Sequence, residues 1–342
     1  MMETHFNNLK VCRLTDGKGF DVELTNIGAR IMRLRVDGVD VVQGFERPED
    51  YLPEAHLSDF GAVVGRYANR ICGGRVVIDG EVVQLPQNNG PNCLHGGPRG
   101  WQYAVYQIVE EDGRHVVMTM HSPDGDNGFP GNVDVRVRYT LADDRALHID
   151  YRAVSDKPTV INMTNHSYFN LDGTTGCAVC PSAEGHILRI DADRYMPVDE
   201  TMIPLCDAAS VDGTPFDFRE AKPIGRDIEC GHPQLVIGSG YDQNFILNHP
   251  GLDVPSAVLQ GQRSGIVMEL YTTAPGLQLY TGNFLDGVAG RGGTQYPRRS
   301  AVCLEAQQYP DSPNRSWPES TGRLRPGEVF ESTTIFKFKK SR

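Results

Sequence analysis

Apolar and polar residues alternate with period two along most of the chain. The runs HVVMTMHS (115–122), VDVRVRYTL (133–141), ALHIDYRAV (146–154) and VFESTTIFKFK (329–339) place successive side chains on opposite faces, as half-buried strands do. Turn chemistry marks two hairpins, because Asp37-Gly38 in LRVDGVDVV and Asp79-Gly80 in RVVIDGEVVQL supply the positive φ of a two-residue turn. No amphipathic helical pattern lasts longer than about three turns, which argues against βαβ units and helical bundles. The pattern therefore predicts an all-β protein, built as a large antiparallel β-sandwich. No Ser/Gly linker, charge run or exact repeat divides the sequence, so residues 1–342 are expected to form one domain.

Composition narrows the partners. Glycine (37) and proline (22) are abundant, consistent with many turns and hence many strands. The net charge of -11 opposes binding to nucleic acid or anionic lipid, since both need a basic patch that releases counterions. A neutral small molecule fits better. The first residues, MMETHFNNLK, lack the basic and apolar regions of a leader, and no stretch has the roughly 18 apolar residues of a membrane span. A cytoplasmic protein, monomer or homodimer, is expected. The eight cysteines are scattered, and Cys177 and Cys180 form a CxxC without a second pair at zinc-ribbon spacing. No metal or redox role is expected of them, and the sequons at Asn162 and Asn165 carry no meaning without secretion.

Several segments combine ionisable or amide side chains with glycine or aromatics: GRYANRI (65–71), NCLHGG (92–97), NMTNHSYFN (162–170), GYDQNF (240–245), LQLYTGNF (277–284) and CLEAQQYPDSPN (303–314). His166 sits among Asn162, Thr164, Asn165 and Ser167, and His95 precedes Gly96-Gly97, where a backbone can approach a ligand closely. Each is either a site histidine or one whose ring nitrogens bond the backbone. Glu305 follows the apolar run AVCL and would emerge at a strand end or inside a pocket, where burial raises a carboxyl pKa and makes a general base; the alternative is a pair with a nearby arginine such as Arg298. Asp242 is a turn residue or an acceptor for sugar hydroxyls. Tyr67, Tyr168, Phe169, Phe245, Tyr280 and Phe284 are core residues or platforms for a pyranose. The long loops 86–100, 123–132 and 286–299 are expected to carry the site. P-loop, GxGxxG, HExxH and GxSxG motifs are missing, which leaves carboxylate, histidine, arginine and amides: an inventory for acid–base work on a neutral polyhydroxylated molecule.

Taken in order, these segments resemble the galactose mutarotase (aldose 1-epimerase) family over nearly the whole chain. YMPVDETMIP (195–204), GTPFDFR (213–219), SPDGDNGFPGN (122–132) and RPGEVF (325–330) carry the same resemblance. It implies an extended β-sandwich with a cleft on one sheet face, Glu305 as base and His166 as acid, and no cofactor or metal. Arg70, His95 and Asp242 match the family's sugar-binding positions, with Asn69 and Gln278 as further contacts. Gln243, and Ala306-Gln307-Gln308 beside the base, depart from the family pattern and are candidates for adjusting sugar preference. The implied reaction is anomer exchange of a free aldose such as galactose or glucose. The rivals are a hexose-6-phosphate 1-epimerase, for which Arg291, Arg298 and Arg299 would supply the basic cluster, and a non-catalytic sugar-binding protein. A glycoside hydrolase would need two carboxylates flanking the bond.

Overall fold

The computed structural model describes residues 8–56, 58–205 and 207–340; the start of the chain and Cys206 lie outside the described residues. Its largest element is a nine-stranded sheet. The spatial order is Gln107–Glu111, His115–Ser122, Val133–Leu141, Ala146–Ser155, Phe330–Lys340, Ile266–Thr272, Ala257–Gln260, Ile187–Ile190 and Lys222–Pro223, with every neighbour antiparallel. The C-terminal strand thus lies in the middle, joining the meander from the first half of the chain to the strands of the second. Both Asp-Gly pairs form hairpin turns, with φ of 50° and 84° at Asp37 and Gly38 and 49° and 86° at Asp79 and Gly80. Among the described residues the only α-helix is Pro233–Gly238, and no helix is long and apolar enough to cross a membrane.

Alternation decides what the sheet buries. Val133, Val135, Val137, Tyr139 and Leu141 point inward and meet Cys12, Leu14, Val22, Leu24 and Leu34 of a four-stranded sheet spanning Val11–Thr15, Phe20–Thr25, Arg30–Val36 and Val39–Asp40. Each such valine or leucine stabilises the fold by roughly 1.5–3 kcal/mol relative to exposure.

A five-stranded sheet, ordered Ala209–Ser210, Arg194–Tyr195, Asp242–Ile246, Gly276–Tyr280 and Cys303–Gln307, shares this core. Its register sorts the last three strands. Asp242 pairs with Tyr280 and Tyr280 with Cys303; Asn244 pairs with Gln278 and Gln278 with Glu305. Those side chains share one face. Phe245, Leu277, Leu279, Leu304 and Ala306 occupy the other and enter the core. The sequences DQNFI, GLQLY and CLEAQ therefore build a sheet that is apolar beneath and polar above, and the site stands on the polar face.

Candidate active site

The polar face of the five-stranded sheet closes a cavity of about 240 Å³, lined by Asp59, Asn69, Arg70, Asn89, Leu94, His95, His166, Tyr168, Asp242, Gln278, Tyr280, Phe284 and Glu305. Two small strand pairs supply the other walls. Thr164–His166 pairs with Ala62–Val64 and packs against Cys303–Gln307, which brings His166 over Glu305. Arg70–Ile71 pairs with Cys93–Leu94, which sets Arg70 beside His95. The amides around His166 turn out to be scaffold. Asn162 donates to the carbonyls of Ala68 and Gln308, Asn165 donates to that of Gly61, and Ser167 donates to Asn165. Gly96, at φ 78°, serves a close approach within the chain: a Cβ there would lie 2.2 Å from the carbonyl oxygen of Gly65.

His166 Nε2 lies 3.6 Å from Glu305 Oε1, with both side chains almost fully buried. Nδ1 of the histidine and Oε2 of the glutamate have no hydrogen-bond partner among the described residues, so each group reaches the cavity with unused capacity. Tyr168 stacks on the imidazole, with ring centres 5.0 Å apart and planes 13° apart. Burial raises the Glu305 carboxyl well above its ordinary range; the nearby Asp242 and Asp59 carboxylates add to this and Arg70 opposes it. Burial lowers the His166 imidazole, against the pull of Asp59. At His95 the backbone N–H of Asn69 donates to Nδ1 at 3.1 Å, so the neutral ring carries its proton on Nε2. Packing around that ring pushes its pKa down to about 3.

Polar groups ring this pair. Asp242 Oδ1 accepts from Gln278 Nε2 at 2.7 Å, and Gln278 Oε1 has no partner among the described residues. Burial raises the Asp242 carboxyl, against the opposing effects of Arg70 and Gln278. Arg70 is held by a bond from Nε to Asn89 Oδ1 at 3.0 Å, and Asn69, at φ 64°, turns its own carboxamide oxygen onto the Arg70 amide. The seven residues that the resemblance marks as catalytic or binding candidates thus line one cavity.

Other expectations need correction. Loops 123–132 and 286–299 contribute nothing to the lining, and of the loops named only 86–100 does. Tyr67, Phe169 and Phe245 are core, leaving Tyr168, Tyr280 and Phe284 at the cavity. Gln243 points away from it, accepting from the Asp242 amide and donating to the Gln234 carbonyl. Arg298 bonds the Ser239 carbonyl and does not pair with Glu305. Asp59 and Asn89 were missed.

One carboxylate oxygen of Asp59 and one nitrogen each of His95 and His166 lie within 4.8 Å of one another, a donor set of the type that holds transition metals. The fit is poor. Nδ1 of His95 is occupied and Nε2 is protonated, and bonds of about 2.1 Å would hold tetrahedral ligands about 3.4 Å apart.

The fold and site define a β-sandwich protein with a buried carboxylate–imidazole pair in a sugar-sized, amide-rich pocket. The aldose 1-epimerase family profile matches residues 10–337, and the chain belongs to that family. It is 41% identical over 337 residues to the aldose 1-epimerase of Escherichia coli K12, covering 96% of this chain and 95% of that one. It is 42% identical over 325 residues to the human galactose mutarotase, covering 93% and 90%. Among solved structures, a galactose 1-epimerase from Lactobacillus acidophilus superposes with a TM-score of 0.83 at 33% identity, covering 96% of this chain and 94% of that one. A GalM/aldose epimerase homologue from C. elegans does so with a TM-score of 0.88 at 28% identity, covering 98% and 100%.

Proposed function

We propose that this chain interconverts the α and β anomers of free aldoses, galactose and glucose among them, by general acid–base ring opening and reclosure. Glu305 takes the proton of the C1 hydroxyl while His166 gives a proton to the ring oxygen O5. The C1–O5 bond breaks, leaving an open-chain aldehyde, a carboxylic acid and a neutral imidazole. Rotation about C1–C2 presents the other carbonyl face, and reclosure returns both protons. Asn69, Arg70, His95, Asp242 and Gln278 hold the remaining hydroxyls so that the open chain stays in place.

The observation that carries this reading is the 3.6 Å approach of His166 Nε2 to Glu305 Oε1 inside the cavity. The pair holds one proton both before and after ring opening. Burial favours the arrangement reached at the aldehyde, with the proton on Glu305 and a neutral His166. The site is thereby biased toward the high-energy intermediate and away from the bound ring, as differential stabilisation requires.

A phosphorylated hexose is a poorer fit. Arg291 is buried against Asp40 and the Met32 carbonyl, Arg299 pairs with Glu184 and Glu229, and Arg298 bonds Ser239, so none of the three lines the cavity. The cavity of about 240 Å³ is also smaller than the roughly 300–1,000 Å³ of sites for larger ligands. Polarimetry of fresh α-D-galactose, α-D-glucose and their 6-phosphates tests the reading: acceleration confined to the free sugars supports it, and preference for a phosphate would overturn it.

A further inference from the structure

Asp59 lies in the loop before Ala62–Val64, the strand that pairs with the one ending at His166. Its side chain lines the cavity, and Oδ1 is buried without a hydrogen-bond partner among the described residues. One of its oxygens comes within 4.8 Å of a nitrogen of His166. Nδ1 of that imidazole is also buried and has no partner among the described residues, while Nε2 faces Glu305. The ring therefore has a carboxylate on Glu305 to one side and a second carboxylate close by with unused acceptor capacity.

We propose that Asp59 is a positioning residue for His166, a carboxylate that stabilises the imidazolium needed to protonate O5 and holds the ring against turning away. This inference rests on the mutarotase reading and adds a third ionisable group to its acid–base pair. The other groups facing His166 do not supply the same effect. Glu305 gives up its negative charge during ring opening, and Tyr168 and Tyr280 present neutral rings. His95 is neutral at its edge, 5.4 Å from centre to centre, and Arg30 acts in the opposite sense, disfavouring the cation. Asp59 is the leading charged influence raising the imidazole pKa, and it also strengthens Glu305 as a base by repelling its carboxylate. The first keeps the acid protonated before ring opening, offsetting burial, and the second favours transfer of the C1 proton to Glu305.

The test is Asp59→Asn, which keeps the shape and removes the charge, with Asp59→Glu as the conservative control. In Asp59→Asn, kcat for galactose should fall about tenfold or more while KM stays within about threefold, as expected for a group acting through the acid and not on the sugar. Both limbs of the kcat/KM pH profile should move to lower pH, because loss of the charge lowers both pKa values. Asp59→Glu should recover most of kcat and restore the limbs. A lesion of purely structural origin would lower activity without moving the limbs. Unmoved limbs in a folded Asp59→Asn protein would overturn the proposal, as would equal damage from Asp59→Glu. Glu305→Gln, measured alongside, separates the two ideas: if it is inactive while Asp59→Asn is normal, only the role of Asp59 fails.

Discussion

His166 Nε2 and Glu305 Oε1 meet at 3.6 Å although their strands share no ladder, each arriving from a different sheet. The separation is longer than a good hydrogen bond and short enough for strong coupling, so the two groups titrate as a pair. On the proposed mechanism the active form contains one proton.

The acid limb of the pH profile is expected to belong to His166 and the alkaline limb to Glu305, the reverse of the order for an exposed carboxylate and imidazole. Burial raises the carboxyl and lowers the imidazole. Acidification therefore adds the inactivating second proton to His166, below the ordinary imidazole range, and alkali removes the last proton from Glu305, above the ordinary carboxylate range. The kcat/KM profile should be a broad plateau through neutrality. Residual activity in His166→Asn should lose the acid limb, and that in Glu305→Gln the alkaline limb. The opposite losses would show the ordinary order of protonation.

Asp242→Asn and Arg70→Ala should weaken sugar binding. Each removes a charge-assisted hydrogen bond worth roughly 1.5–3 kcal/mol, which corresponds to a rise of about 10- to 150-fold in KM. Steady-state kinetics on galactose check this, and unchanged KM in both would remove these residues from the sugar contacts.

Gln243→Ala should cost stability rather than change sugar preference. Its buried amide bridges the Asp242 amide and the Gln234 carbonyl, and deleting it leaves both without that partner, at about 1–3 kcal/mol. A lowered melting temperature with an unchanged ratio of galactose to glucose rates is expected. An altered ratio at unchanged stability would return Gln243 to the specificity determinants.

Much of this was legible because a strand has only two faces. In DQNFI, GLQLY and CLEAQ the alternation already separates Asp242, Gln278 and Glu305 from Phe245, Leu277, Leu279, Leu304 and Ala306, and pairing aligns the polar set. The loops misled because turn-rich composition serves folding as readily as function. In 123–132, Asp124 bonds Lys157 and the Gly131 amide, and Asp126 accepts from Ser122. In 286–299, Arg291 is committed to a buried pair with Asp40, more than two hundred residues away in sequence. Asp59 was invisible for a related reason: Ser58-Asp59-Phe60 has no periodicity, and only the pairing of Ala62–Val64 with Thr164–His166 carries it to the imidazole.

The central claim is that Glu305 and His166 move protons onto and off the sugar, and polarimetric mutarotation of α-D-galactose by Glu305→Gln tests it most directly. A positioned general base contributes about 10²–10⁴ in rate, so kcat, corrected for the spontaneous reaction, should fall at least about 10²-fold while galactose still binds. His166→Asn should do comparable damage, and the double variant should be far less than multiplicatively worse, because either loss disables one concerted step. A folded Glu305→Gln protein within about threefold of the wild-type rate, far short of that loss, would contradict the account and favour a sugar-binding protein without catalysis.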